Sequence, residues 1–152
     1  MPMRINHMEL TFAEGTLTDT LKAEIQAFYK ELFGWDGLEI DIVGQKALLL
    51  MLDSEVSQFI LCAESPKPMS SPGLDHLGLL FDNRAEVDAL LAKAKAMQAS
   101  DSRVQIKEYE DLNESGTVVH AFYVRHLLPL WFDVQCIEYE AGSEPAKRWH
   151  FG

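Results

Sequence analysis

The chain has 152 residues, with 13 lysines and arginines against 24 aspartates and glutamates and a formal net charge of −11. A field of that sign repels phosphate backbones and anionic lipid, which argues against nucleic acid and membrane surfaces and leaves small molecules as the expected partners. With 47% hydrophobic and 24% charged residues, the composition is that of a soluble globular protein, one ordinary domain or two half-domains sharing a core.

Two cysteines, Cys62 and Cys136, lie far apart in apolar runs and form no CxxC pair. Cysteine in such a run behaves as a small hydrophobe, and no disulfide framework is expected. The opening MPMRINHMEL lacks the apolar core of a secretory signal, and apolar runs such as ALLLML are too short to span a bilayer. The expectation is a soluble, cytoplasmic protein.

Residues 4–12, RINHMELTF, alternate as a strand, with Met8, Leu10 and Phe12 on one face and Ile5, His7, Glu9 and Thr11 on the other. Thr18 or Asp19 can then cap a helix running to about Phe33, with Leu21, Ile25, Phe28 and Leu32 as its stripe. Gly34 suits the left-handed conformation that closes such a helix. Strands are predicted over 38–43, 47–52 and 58–63, followed by ESPKPMSSPG, which holds three of the six prolines and reads as a linker. The order then repeats. A strand over 74–81 leads to a helix that starts at Asn83, with Glu86 three residues on, and runs through about Met97 with Val87, Leu90, Leu91 and Ala94 inward. Strands follow over 103–109, 117–126 and 130–139, and the acidic run EYEDLNE (108–114) reads as a solvated loop. The tail 141–152 has no periodicity; its Trp149 and Phe151 are candidates for packing on the body or on a second subunit.

Strand, helix and three strands occurring twice is an internal duplication: 4–63, a linker at 64–73, and 74–140. INHMEL (5–10) aligns with LDHLGL (74–79), so His7 and His76 take the same place. Strand phase adds a third group. Leu130, Phe132 and Val134 make the apolar face of the last strand, so Trp131, Asp133 and Gln135 point the other way, as His76 does against Leu77, Leu79 and Phe81. Two imidazoles and one carboxylate can bind one divalent ion, Fe, Mn, Ni, Co or Zn, and leave positions open for substrate or water. Tyr123 and Arg125 share a phase, and Trp131 shares that of Asp133; these three are the candidate substrate contacts, the arginine for a carboxylate or phosphate. His120 and His126 fall in the opposite phase to Tyr123 and read as ordinary hydrogen-bonding groups. Cys62 has no cation beside it that would make it a nucleophile.

The order of elements, the opening INHMEL, the helix ending FYKELFGWD and the passage DHLGLLFDN resemble the vicinal oxygen chelate superfamily, which includes glyoxalase I, extradiol dioxygenases, fosfomycin-resistance thiol transferases and bleomycin-resistance proteins. The resemblance covers residues 4–140. It implies an α+β fold of two βαβββ modules forming an incomplete, cup-shaped barrel around one site, usually in a homodimer. It also implies that the first strand of each module supplies a histidine, His7 and His76, and the last strand a carboxylate, here Asp133. Two departures stand out. The turn before the last strand reads RHLLPLW, where the family commonly has a form like Asp-Pro-Asp-Gly-Asn, and the family's glutamate is an aspartate. A fourth ligand, as in glyoxalase I, has Gln58, Cys62 and Glu64 as candidates in one phase, with no clean glutamate mid-strand.

The expected function is that of a metal-dependent enzyme of glyoxalase or dioxygenase type, running dioxygenase or lyase/isomerase chemistry on a small substrate that chelates the metal through adjacent oxygens. The alternative is a metal-free protein of the same fold that sequesters a small molecule.

Overall fold

The computed structural model describes residues 5–55 and 57–146. It is α+β, with two sheets, two helices and no closed barrel. The first half runs β1 (His7–Ala13), α1 (Asp19–Phe33), β2 (Asp36–Ile42), β3 (Gln45–Met51) and β4 (Phe59–Ser65). The second runs β5 (His76–Leu80), α2 (Arg84–Ser100), β6 (Gln105–Glu108), β7 (Leu112–Glu114), β8 (Thr117–Arg125) and β9 (Trp131–Tyr139). The sheet orders are β1-β4-β3-β2 and β5-β9-β8-β6, with β7 on β8. In each half the first strand pairs parallel to the last, His7 opposite Phe59 and His76 opposite Trp131. The tail residues Trp149 and Phe151 lie outside the described residues.

Local chemistry sets the helix ends. The Thr18 hydroxyl accepts from the Leu21 amide, and Gly34 closes α1 at φ 78°, its N–H bonding back to Lys30 and Tyr29. Asn83 caps α2 by accepting from the Glu86 amide, and the Glu86 carboxylate reaches back to the Asp82 amide. Buried Ile25, Phe28 and Leu32 form the predicted stripe of α1, joined by Tyr29 and by the stem of Lys22, which ends on Asp19 and Glu39.

One apolar cluster joins the two halves. It takes Leu10, Leu48, Leu50, Ile60 and Cys62 from the first sheet, Phe122, Val124, Phe132 and Val134 from the second, and Ile25, Phe28, Tyr29, Leu32, Val87 and Ala94 from the helices. Each such side chain contributes about 2 kcal/mol on leaving water. Tyr29 stitches the halves, with its ring 5.4 Å from Phe132 and its hydroxyl donating to the His126 carbonyl at 3.0 Å. Among the described residues no strand of one sheet hydrogen-bonds to a strand of the other. Among the described residues no helix is long and apolar enough to cross a membrane.

The acidic run is not all loop. Leu112–Glu114 pairs antiparallel with β8, turning back through Ser115 and Gly116, both at positive φ. All three residues of β7 are exposed, so alternation could not reveal them. They make the second half one strand richer than the first.

Candidate functional site

The strand phases predicted for Met8, Leu10 and Phe12, for Leu77, Leu79 and Phe81, and for Phe132 and Val134 all turn toward the shared core. His76, Trp131, Asp133, Tyr123 and Arg125 therefore stand on the opposite face of the second sheet. Register places them as neighbours, with Gly78 and Tyr123 flanking Asp133 on its two sides and His76 beside Trp131.

The tautomer of His76 follows from its surroundings. Its Nδ1 lies 2.8 Å from the Leu74 carbonyl, which only accepts, so Nδ1 carries a proton and the neutral imidazole keeps its lone pair on Nε2. That lone pair faces Asp133 Oδ2 across 3.9 Å, and the Tyr123 hydroxyl points at it from 3.4 Å. Asp133 is 7% exposed. Its Oδ2 accepts from the Gln135 amide at 3.1 Å, while its buried Oδ1 has no partner among the described residues. Burial raises the Asp133 pKa and the nearby His76 opposes that rise. Burial likewise raises the Tyr123 pKa, with the charge of Asp133 adding to it.

Gly78 gives this arrangement room. A Cβ there would stand 3.0 Å from Gln135 Nε2, the group that holds Asp133. Aromatic rings line the same face. Tyr123 lies 4.7 Å from the His76 ring and 4.8 Å from Tyr109, and the Trp131 indole donates to the Gly73 carbonyl at 3.2 Å.

A neutral imidazole and a carboxylate that face each other, one carboxylate oxygen without a partner among the described residues, can hold a cation between them. His76 and Asp133 thus fit a divalent ion, and they supply two ligands. His7 stands elsewhere, on the outer face of the first sheet with its ring stacked 4.9 Å from Phe59. Asn6 holds it in the same tautomer as His76. The Asn6 amide nitrogen donates to the Ser57 carbonyl at 2.6 Å, which turns Oδ1 toward His7 Nδ1 at 2.8 Å and leaves Nε2 free. Among the described residues no three His, Cys, Asp or Glu groups gather closely enough to hold an ion within one chain.

Two of the three fourth-ligand candidates, Cys62 and Glu64, are otherwise engaged. Cys62 is buried in the core with its thiol pushed up to about 12 by burial. Glu64 accepts from the Leu17 amide at 2.8 Å and holds the loop before α1. The β4 residue matched to Asp133 is Leu61, opposite Glu9 as Asp133 is opposite Gly78.

His120 and His126 serve the scaffold. His120 Nε2 meets Asp88 at 2.8 Å and Nδ1 meets Asp111 at 2.7 Å, in a network with Arg84 and Glu138. Burial opposes charge on His120, but the two carboxylates prevail and its pKa is raised. His126 is 3% exposed, its ring 4.3 Å from Phe28. Burial lowers its pKa, and its Nδ1 has no partner.

No protein-family model matches the chain, and no curated protein does. Solved structures do match. The genomically encoded fosfomycin resistance protein FosX of Listeria monocytogenes is 17% identical, with a TM-score of 0.60 over 90% of this chain and 92% of that one. A lactoylglutathione lyase of Agrobacterium tumefaciens is 18% identical, with a TM-score of 0.56 over 90% and 95%. An integron cassette protein of V. cholerae is 15% identical, with a TM-score of 0.55 over 90% and 96%. A mutant of FosX has also been crystallised with Mn(II) and 1S,2S-dihydroxypropylphosphonic acid; that structure is 14% identical, with a TM-score of 0.57 over 88% and 92%. These are vicinal oxygen chelate (glyoxalase/bleomycin-resistance) proteins, and the chain has their fold.

Proposed function

We propose that this protein is a metal-dependent enzyme of the glyoxalase and dioxygenase type, acting on a small substrate that offers adjacent oxygens to one divalent ion held by His76 and Asp133. The observation that carries the reading is the pair itself, with Nε2 and Oδ2 facing each other at 3.9 Å and Oδ1 unpartnered. The proposal includes a cytoplasmic homodimer in which His7 of a second copy completes the ligand set. His7 is already prepared for this, exposed and with its Nε2 lone pair free. Its face also carries the small apolar cluster of Ala47, Leu49, Leu61 and Ala63, bordered by Phe59, Ile40 and Ile42.

The ion would supply Lewis acidity toward a substrate oxygen. The protein's own groups do the rest. Tyr123 places a hydroxyl beside His76 and can give or take a proton at an oxygen bound there, its raised pKa favouring the neutral phenol. Tyr109, 40% exposed, offers flat apolar surface beside Tyr123. Gln135 steadies the Asp133 carboxylate through its amide.

Metal analysis of untagged protein tests the reading, with Asp133→Asn and His76→Ala in parallel. About one divalent ion per chain, lost in both variants, is the expected result. Protein that stays empty after incubation with Fe(II), Mn(II), Co(II), Ni(II) and Zn(II) would instead favour a metal-free binding protein.

A further inference from the structure

Three arginines lie among the described residues. Arg84 holds Asp111 and Glu138, and Arg103 holds Asp101 and Glu24. Arg125 has no carboxylate partner among the described residues, although the chain carries 24 acidic residues and a net charge of −11. Its guanidinium is nevertheless fixed. The Cζ atom lies 4.6 Å over the Trp131 ring, and one Nη2 hydrogen goes to Gln105 Oε1 at 2.8 Å. Trp131 is itself buried and anchored on Gly73, so the stack is built on a held platform. An arginine has five N–H donors; this bond uses one of them. Gln105, having given its oxygen to Arg125, keeps its own NH2 as a further donor.

Both residues border an open groove of about 640 Å³ between the end of β1, the linker and the turn from β8 to β9, a volume typical of small-molecule sites. Phe12, Met69, Leu127 and Pro129 give the groove apolar wall. Two features hold that wall in shape. The Met69 amide is bonded to the Thr11 hydroxyl at 2.7 Å. Leu127 sits at φ 60°, a left-handed backbone that disfavours a side chain by about 1–2 kcal/mol and persists only where its surroundings impose it. A fixed cation without a carboxylate partner among the described residues, lining a groove with apolar wall, is arranged for an anion with an apolar body.

We propose that Arg125, with Gln105, receives the carboxylate of a small organic acid whose apolar body lies along this groove. The inference goes beyond the metal-site reading and does not depend on it, because every group named acts without a divalent ion.

The test is to titrate the full chain, kept metal-free with chelator, with benzoate, hexanoate and the neutral isostere benzamide. Binding is read by calorimetry, and by the side-chain Nε–H signal of Arg125 and the indole N–H signal of Trp131 in proton–nitrogen spectra. Saturable one-to-one binding of a carboxylate, at least tenfold tighter than benzamide and shifting both signals, is the expected result. Arg125→Met, which keeps the stem on Trp131, should lose at least tenfold in affinity, whereas His76→Ala should stay within twofold of wild type. Failure of both carboxylates to saturate, equal binding of benzamide, unmoved signals, or loss in His76→Ala would overturn the proposal. The spectra of the wild-type chain decide the matter even if the arginine variant does not fold.

Discussion

His76 Nε2 and Asp133 Oδ2 stand 3.9 Å apart, with the imidazole oriented by the hydrogen bond between its Nδ1 and the Leu74 carbonyl. The carboxylate is buried and one of its oxygens has no partner. Its charge is therefore a liability to the empty protein and an asset only to a bound cation. Asp133→Asn should raise the thermal stability of the metal-free chain by about 1 kcal/mol, the usual gain when a functional charge is removed. The same change should abolish divalent-ion binding. Thermal unfolding in chelator, alongside metal titration, checks both; a variant less stable than wild type would contradict the account.

Asn6 controls His7 as Leu74 controls His76. Its amide is oriented by the Ser57 carbonyl and presents Oδ1 to His7 Nδ1. Asn6→Ala should weaken metal affinity by about ten- to a hundredfold through a misoriented imidazole. The stability of the metal-free protein should shift by no more than about 0.5 kcal/mol, since the site is exposed. Calorimetric titration with Mn(II) would detect the change, and unaltered affinity would remove His7 from the ligand set.

Much of this arrangement was legible in the sequence, for physical reasons. Apolar alternation assigns Leu10, Leu79, Phe132 and Val134 to the core face, and that places His76 and Asp133 together on the other face. Thr18, Gly34 and Asn83 announce the helix ends by side-chain chemistry alone. Phase says which face of its own strand a residue occupies, but not how two sheets face each other, so His7 could not be placed relative to His76. The pairing of β1 with β4 makes Phe59, Leu61 and Ala63 the companions of His7, and so puts Cys62 in the opposite phase, toward the core. The role of Asn6 left a faint signal, an amide directly before a histidine. The seclusion of Lys22 left none, since a lysine in the first turns of a helix ordinarily faces solvent.

His126 should shape the acid limb of stability. Burial depresses its pKa below that of a free imidazole, about 6.5, so on acidification the unfolded chain takes up the proton first. Stability contributed by the neutral imidazole is full above about pH 6.5 and falls as pH drops from there toward the depressed folded value. His126→Phe, which can keep the contact with Phe28, should flatten the stability profile between about pH 5 and 6.5. Urea unfolding at half-unit steps of pH would show it; an unchanged slope would mean that His126 does not titrate differently in the two states.

Gly78 leaves the space through which Gln135 reaches Asp133. Gly78→Ala should displace that amide and weaken metal binding by about tenfold, while Leu80→Ala, at an exposed position of the same strand, should leave it unchanged. Parallel Mn(II) titrations of the two variants compare them directly, and equal affinities would leave the glycine without a role in the site.

The most direct measurement of the central claim is the metal content of an equimolar mixture of His7→Ala and His76→Ala chains, dissociated and reassociated together. If each centre takes His76 and Asp133 from one chain and His7 from another, each parent alone is empty. Half of the dimers in the mixture then carry one intact centre, giving about one ion per four chains. A mixture as empty as either parent, beside wild-type protein that holds its ion, would contradict a site shared between copies.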